Sequence, residues 1–225
     1  MQQGRAKQFK DLYGYLKKTN TISEAVKKNI TEFKSDIEQF DKDNRGPLFH
    51  IIRTHNGHKQ QITINTIKKQ LGEEDFDYQT FDCETSAGQD LNTILEKRPL
   101  KHTIIFIKEM QRCAKTLLKK YIGIAYDRWI KSKPNDSTTI QGLLGRMTGY
   151  DDNGFSIVYT NIKTIQQYSK LLKCGFNQPS DSKILWKSAT TKNRNGKIVY
   201  NNRGTFMSQP EMGNGKDKCL SLIHI

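Results

Sequence analysis

The chain has 225 residues, 35% hydrophobic and 27% charged, the balance of a globular protein rather than a fibre or low-complexity chain. Its mean hydropathy of -0.74 and the lack of any long apolar run exclude a membrane span, and the opening MQQGRAKQFK has no apolar secretory core. The net charge of +14 calls for a polyanionic partner, nucleic acid before any other. That charge is spread as +3 over residues 1–46, +6 over 47–175 and +5 over 176–225, which suits a folded groove better than a polybasic arm.

Residues 1–46 read as a helical N-terminal segment. Ile22, Ala25, Val26, Ile30, Phe33, Ile37 and Phe40 recur at three- and four-residue steps, with Thr21 and Glu24 placed as a capping box. Asn44-Arg45-Gly46-Pro47 stops that helix. From Pro47 strands and helices alternate. Leu48–Thr54 reads as a strand, followed by a helix carrying Ile62, Ile64, Ile67 and Leu71 up to Gly72. Tyr78–Phe81 is a short strand, and Leu91, Ile94 and Leu95 mark a helix ending before Pro99. Thr103–Ile107 is apolar without alternation, as a strand covered on both faces should be.

Ala114, Leu117 and Leu118 suggest a short helix or turn, and Ile122–Tyr126 another strand. A helix capped by Asp136 or Ser137 runs to about Thr148. Ser156–Tyr159 is a strand, and a last helix ends at Cys174-Gly175. The alternation predicts an α/β fold with a doubly wound, mainly parallel sheet over residues 47–175. Its ligands belong at the carboxyl ends of the strands. Residues 176–219 are polar, with Asn195-Gly196 set to turn a β-hairpin on an appendage. The last six residues, 220–225, match a translated transposase adapter from sequencing libraries and are expected to lie outside the natural chain.

No catalytic set of the common kinds is present. The chain contains no Gly-x-x-x-x-Gly-Lys-Ser/Thr, no Gly-x-Ser-x-Gly and no His-Glu-x-x-His. Cys83, Cys113, Cys174 and Cys219 form no Cys-x-x-Cys pair, so reduced thiols in a cytoplasmic setting are expected. His50, His55 and His58 lack a carboxylate or thiol at ligand spacing and read as surface or loop histidines; no metal site is expected. Asp151-Asp152 sits beside Asn153-Gly154 and reads as a turn. Trp129 and Trp186 read as packing residues before stacking ones.

Three segments carry a resemblance. Gln141-Gly142-Leu143-Leu144-Gly145-Arg146 resembles motif VI of superfamily 2 helicases. TIIFIKEMQRCAKT (103–116) resembles motif V, and LFHIIRT (48–54) the motif IV strand. They stand in the family's order inside the predicted alternation. Residues 47–175 therefore resemble the second, RecA-like lobe of these helicases, in wording close to helicase-like proteins of large DNA viruses and phages. Three departures stand out. Gly149 occupies the place of the second motif VI arginine, the spacing from Gln141 to Gly145-Arg146 is one residue long, and Cys113-Ala114-Lys115 replaces the motif V glycine.

The resemblance implies a fragment of an ATP-dependent helicase whose first lobe carries the P-loop and the magnesium carboxylates. ATP and Mg2+ then belong to the intact two-lobe enzyme, and this chain alone is expected to be inactive. Arg146 would be the catalytic arginine that reaches the γ-phosphate, with Gln141 and Gly145 beside it at the nucleotide. Arg53, Thr54, Lys108, Arg112, Lys115 and Thr116 would contact the DNA or RNA backbone. The expected partners are nucleic acid and the missing N-terminal lobe, with no membrane. The alternative is a non-catalytic nucleic-acid-binding α/β module that kept the fold without the motor.

Overall fold

A computed structural model of the chain describes residues 5–16, 21–55, 57–81, 90–108, 117–129, 140, 142–147, 154–175, 190–192 and 198–200. Its centre is one six-stranded, all-parallel sheet. In chain order the strands are β1 (Ala6–Gln8), β4 (Phe49–Thr54), β5 (Asp77–Phe81), β6 (Thr103–Lys108), β7 (Ile122–Tyr126) and β8 (Ile157–Thr160). In space the order is β1-β8-β7-β4-β6-β5. The chain leaves β4 for one edge, returns through β6, then crosses β4 to build β7 and β8 on the other side. The sheet is therefore doubly wound and α/β, as the alternation predicts.

Alternate residues of each central strand serve opposite faces. Ile52, Ile104, Phe106 and Ile124 join the core under α1 (Glu24–Lys42) and α2 (His58–Leu71). Ile51, Ile105, Ile107 and Ala125 join a second core with α3 (Leu91–Leu95) and α4 (Leu143–Met147). Ile165 of α5 (Ile162–Lys173) packs on that second core. This two-sided burial is why β4 and β7 are buried at every position and TIIFI lacks alternation. Between β7 and β4 the register slips after Phe49, at the level of Gly123.

The segment before Gly46 packs into the same core as the sheet. Ala6, Lys7 and Gln8 pair with Val158, Tyr159 and Thr160 as an added parallel edge strand. Behind it β2 (Tyr15–Leu16) and β3 (Thr21–Ile22) form a minimal antiparallel pair. These short strands escape a periodicity reading because two or three residues show no period. Helix α1 has the expected stripe of Val26, Ile30, Phe33, Ile37 and Phe40, all buried. Its cap is Ser23 rather than Thr21, since Thr21 is held in the β2–β3 pair while Ser23 accepts the Val26 N–H through Oγ at 3.3 Å. A cap contributes about 1 kcal/mol. Each of the five buried side chains contributes about 1.5–3 kcal/mol, so packing, not capping, holds α1.

Helix α1 ends at Lys42, and Asn44 and Gly46 take positive φ at 52° and 65° where the sequence asks for a stop. Asn161 caps α5 by accepting the Thr164 N–H. β9 (Thr190–Lys192) and β10 (Ile198–Tyr200) pair antiparallel, as the expected hairpin requires, while Asn195-Gly196 lie outside the described residues. Asp136, Ser137, Ala114, Asp151, Asp152, Trp186 and residues 220–225 lie outside the described residues.

Candidate functional site

An open α/β sheet offers its ligand crevice at the carboxyl ends of the strands, where the winding reverses. Here that point lies between β4 and β7. β4 ends in Arg53-Thr54, and β7 runs straight into Asp127. The Arg53 guanidinium donates through Nη1 to Asp127 Oδ1 at 3.1 Å, with both side chains almost fully buried. The Arg128 N–H donates to the same carboxylate oxygen at 2.8 Å. Burial pushes the Asp127 carboxyl up, and the neighbouring Arg53 pulls it back only in part. Arg53 Nε is buried with no hydrogen-bond partner among the described residues.

A shallow, half-open crevice with room for about 20 Å³ lies over this pair. The loop after β1 forms one wall with Lys10 and Tyr13; His55 and Trp129 close the other side. The loop is pinned by Tyr126, whose hydroxyl accepts the Lys10 N–H at 2.8 Å and donates to the Lys10 carbonyl at 2.9 Å. Asp11 Oδ1 accepts the Tyr13 N–H at 2.8 Å and fixes the turn. The Tyr13 ring lies 5.9 Å from the His55 ring, and Lys59 Nζ stands 5.4 Å from the Tyr13 centroid. Burial, then the charges of Arg128 and Lys59, push the His55 imidazole below its usual value, against the pull of Asp11.

The residues expected from sequence fall into separate groups. Thr54 is buried, and its Oγ1 donates to the Ile107 carbonyl at 3.2 Å, tying β4 to β6. It stands opposite Lys108 in the register, so Arg53, Thr54 and Lys108 share the carboxyl edge of adjacent strands. Gly145 and Arg146 lie on α4, which packs at β7 and β8. Arg146 is buried, not a surface side chain, and its Nη1 donates to the Gly142 carbonyl at 3.1 Å. Gly145 has a steric reason of its own, because a Cβ there would sit 2.4 Å from the Ile140 carbonyl oxygen. Arg112, Lys115, Thr116 and Gln141 lie outside the described residues.

Asp127, His55 and Tyr13 escape the motif reading. The signal for Asp127 is a carboxylate directly after an apolar strand, IGIAYD, where a buried charge demands a partner. Tyr13 carries no local signal; only the fold of the N-terminal segment brings it to β4. Trp129 is half-buried, packed against the first core and facing the crevice, so packing and exposure coexist in it.

The histidines do not form a cluster. His50 is fully buried on β4, where its Nε2 meets His102 Nδ1 at 2.9 Å; the expectation of a surface or loop histidine fails for it. His102 Nε2 in turn reaches Asp41 Oδ1 at 3.0 Å. This chain of groups lies at the amino ends of β4 and β6, remote from the crevice. Among the described residues no group of three or more His, Cys, Asp or Glu side chains is placed to hold a metal ion. No described helix is long and apolar enough to cross a membrane.

No family model matches the chain. Over 125 residues it is 30% identical to uncharacterized protein L594 of Acanthamoeba polyphaga mimivirus. The match covers 55% of this chain and 31% of that protein, so the aligned part spans about a third of the relative's length.

Proposed function

We propose that this chain is the C-terminal RecA-like lobe of an ATP-dependent nucleic-acid helicase or translocase. The observation that carries the reading is the placement of three motif-like segments on one parallel sheet. LFHIIRT forms the central strand β4, TIIFIK the adjacent strand β6, and LLGRM the short helix α4 between β7 and β8. The +14 charge and a viral relative at 30% identity agree with it.

In this reading ATP and its magnesium ion bind chiefly to another lobe, and this chain adds one cation. Arg146 suits that role because a guanidinium is permanently charged and offers a planar donor fork to phosphate oxygens. Its present bond to the Gly142 carbonyl leaves it preorganised on α4 but turned inward. A γ-phosphate brought against α4 would compete with that carbonyl for Nη1. Such a contact stabilises charge that develops as the phosphoryl group transfers. Arg53, Thr54 and Lys108, at the carboxyl edge of the sheet, and Arg112, Lys115 and Thr116, which follow β6 in sequence, would face the nucleic-acid backbone.

The test uses a two-lobe protein assembled from a longer relative. There Arg146→Ala should lower the ATP hydrolysis rate by a factor on the order of 10³ while nucleotide affinity changes little. Arg146→Lys should not restore it. A folded Arg146→Ala protein with unchanged hydrolysis rejects the assignment. It would favour a nucleic-acid-binding module without a motor.

A further inference from the structure

The amino edge of the sheet, opposite the crevice, carries exposed groups that the helicase reading leaves without a role. β8, β7, β4 and β6 are consecutive in the sheet. The residues leading into them meet in one row: Phe155 before β8, Lys120 and Tyr121 before β7, Arg45 before β4, Arg98 and Leu100 before β6. From this row we infer that the amino edge docks an acidic segment of a partner protein, one that carries an apolar side chain among its carboxylates. The inference is independent of the ATP and nucleic-acid contacts proposed above, since it uses none of their residues and the other edge of the sheet.

The cations are held by rings and carbonyls rather than by carboxylates. The Arg45 guanidinium lies 4.9 Å from the centre of the Phe155 ring. Arg98 stands 5.1 Å and Lys120 5.2 Å from the centre of the Tyr121 ring. Arg98 Nη1 also donates to the Arg45 and Pro47 carbonyls. Gly46, at φ 65°, leaves the space for it, because a Cβ there would sit 3.0 Å from Arg98 Nη1. None of these three cations makes an ion pair among the described residues. The carboxylates at the end of α1 are engaged elsewhere, Asp43 with Gln39 Nε2 at 2.8 Å and Asp41 with His102 Nε2 at 3.0 Å. Positioned charges without counter-charges suit an anionic partner, because they have little side-chain freedom left to lose on binding.

Leu100 selects among anions. It is fully exposed in the loop between α3 and β6, while Leu95 and Leu48 nearby are buried. A single exposed apolar side chain is ordinary on a surface. This one stands two residues from a guanidinium that has no counter-charge. A phosphodiester backbone would satisfy the cations and leave Leu100 in water. The half-buried Tyr121 and Phe155 rings already carry cations, so they offer little face to an incoming base. A polypeptide that interleaves carboxylates with an apolar residue satisfies both needs. A second copy of this chain brings a net charge of +14 against the row.

The experiment titrates labelled peptides with the full 225-residue chain at low salt. One peptide repeats Asp-Asp-Leu; the other repeats Asp-Asp-Ser at equal length and charge. The wild type should bind the leucine peptide about tenfold more tightly, the scale of covering one leucine side chain. Leu100→Ser should remove that preference and leave affinity for the serine peptide unchanged. Leu100→Met should keep the preference. Lys120→Glu should weaken both peptides about fivefold. Lys163→Glu, an equal change of charge on α5 at the carboxyl edge, should leave both nearly unchanged.

A leucine preference that survives Leu100→Ser overturns the inference. Equal weakening by Lys120→Glu and Lys163→Glu also overturns it, because the net charge alone then explains the binding. Labelled oligothymidylate that displaces the leucine peptide, and is weakened by Lys120→Glu but not by Lys163→Glu, assigns the edge to nucleic acid instead. A Leu100-dependent dimer in sedimentation assigns it to a second copy, and either result overturns the acidic segment. So does a wild-type chain that binds neither peptide. None of these outcomes bears on the Arg146 test, so the two readings fail separately.

Discussion

Arg53 and Asp127 close an ion pair at 3.1 Å across the line where the sheet reverses its winding, one at the end of β4 and one just past β7. Each strand was laid down separately, and the pair locks their carboxyl ends together inside the protein.

Removing one member leaves a buried charge without compensation. Asp127→Ala should destabilise the fold by about 3–5 kcal/mol in chemical denaturation. Replacing both residues by apolar side chains of similar volume should recover most of that loss. A loss below about 1 kcal/mol for the single variant would place the pair among solvent-screened surface bridges.

The buried histidine gives stability a pH dependence of known sign. Burial first, then His102, pushes the His50 imidazole well below its ordinary range. The unfolded chain therefore binds the proton that the folded chain refuses. Stability is full above about pH 6.5 and falls as the pH drops below it, by up to about 1.4 kcal/mol per pH unit. His55, also pushed down, adds to the same slope. Asp127, pushed up, takes its proton first in the folded state and offsets part of the loss in more acid solution. Melting temperatures of the Asp127→Asn chain and of the same chain also carrying His50→Asn, from pH 7.5 downward, should diverge below about pH 6.5. Parallel curves would exclude His50 as the source.

Gly123 and Gly145 are required for space, at positions where φ is not the reason. At Gly123 a Cβ would meet His50 Cε1 at 2.8 Å, Leu48 Cδ1 at 3.0 Å and Phe40 Cε2 at 3.1 Å. Gly123→Ala should cost about 1–3 kcal/mol by overpacking. Gly145→Ala drives its methyl into the Ile140 carbonyl, which cannot rotate away as a side chain can. It should disturb α4 by a similar amount without touching the sheet. Circular dichroism melts of both variants decide this, and an unchanged melt for Gly123→Ala would mean that the aromatic cluster yields.

The position of the α1 cap is equally open to test. Ser23→Ala should cost about 1 kcal/mol. Thr21→Ala should cost less, since the Val26 N–H is taken by Ser23. The reverse order of effects would restore Thr21 as the cap.

What could be read in advance follows from the length of each pattern. The α1 stripe repeats over five buried positions, and TIIFI is apolar throughout, so both declare themselves locally. β1 is a polar three-residue edge, and its identity depends on Val158–Thr160 far along the chain. The same distinction divides the site. Arg53, Thr54 and Lys108 were legible as strand-end residues, because strand ends are a local property. The crevice was not, because Tyr13, His55 and Asp127 meet only after the N-terminal loop docks on Tyr126. His50 misled for the opposite reason: its neighbours in sequence include two more histidines, while its partner, His102, is 52 residues away.

The pairing of β1 with β8 sets a timetable for synthesis. Ala6 finds its partner in Val158, 152 positions later. At bacterial to eukaryotic elongation rates, roughly 5–20 residues per second, the edge strand waits about 8–30 s after leaving the ribosome before that partner exists. Over that interval Phe9, Leu12 and the apolar stripe of α1 have no β8 side of the sheet to cover them. Nascent chains halted before residue 157 should therefore be captured by holdase chaperones, and chains halted well beyond residue 175 should not. Within this sheet the strand made first is the last to be placed.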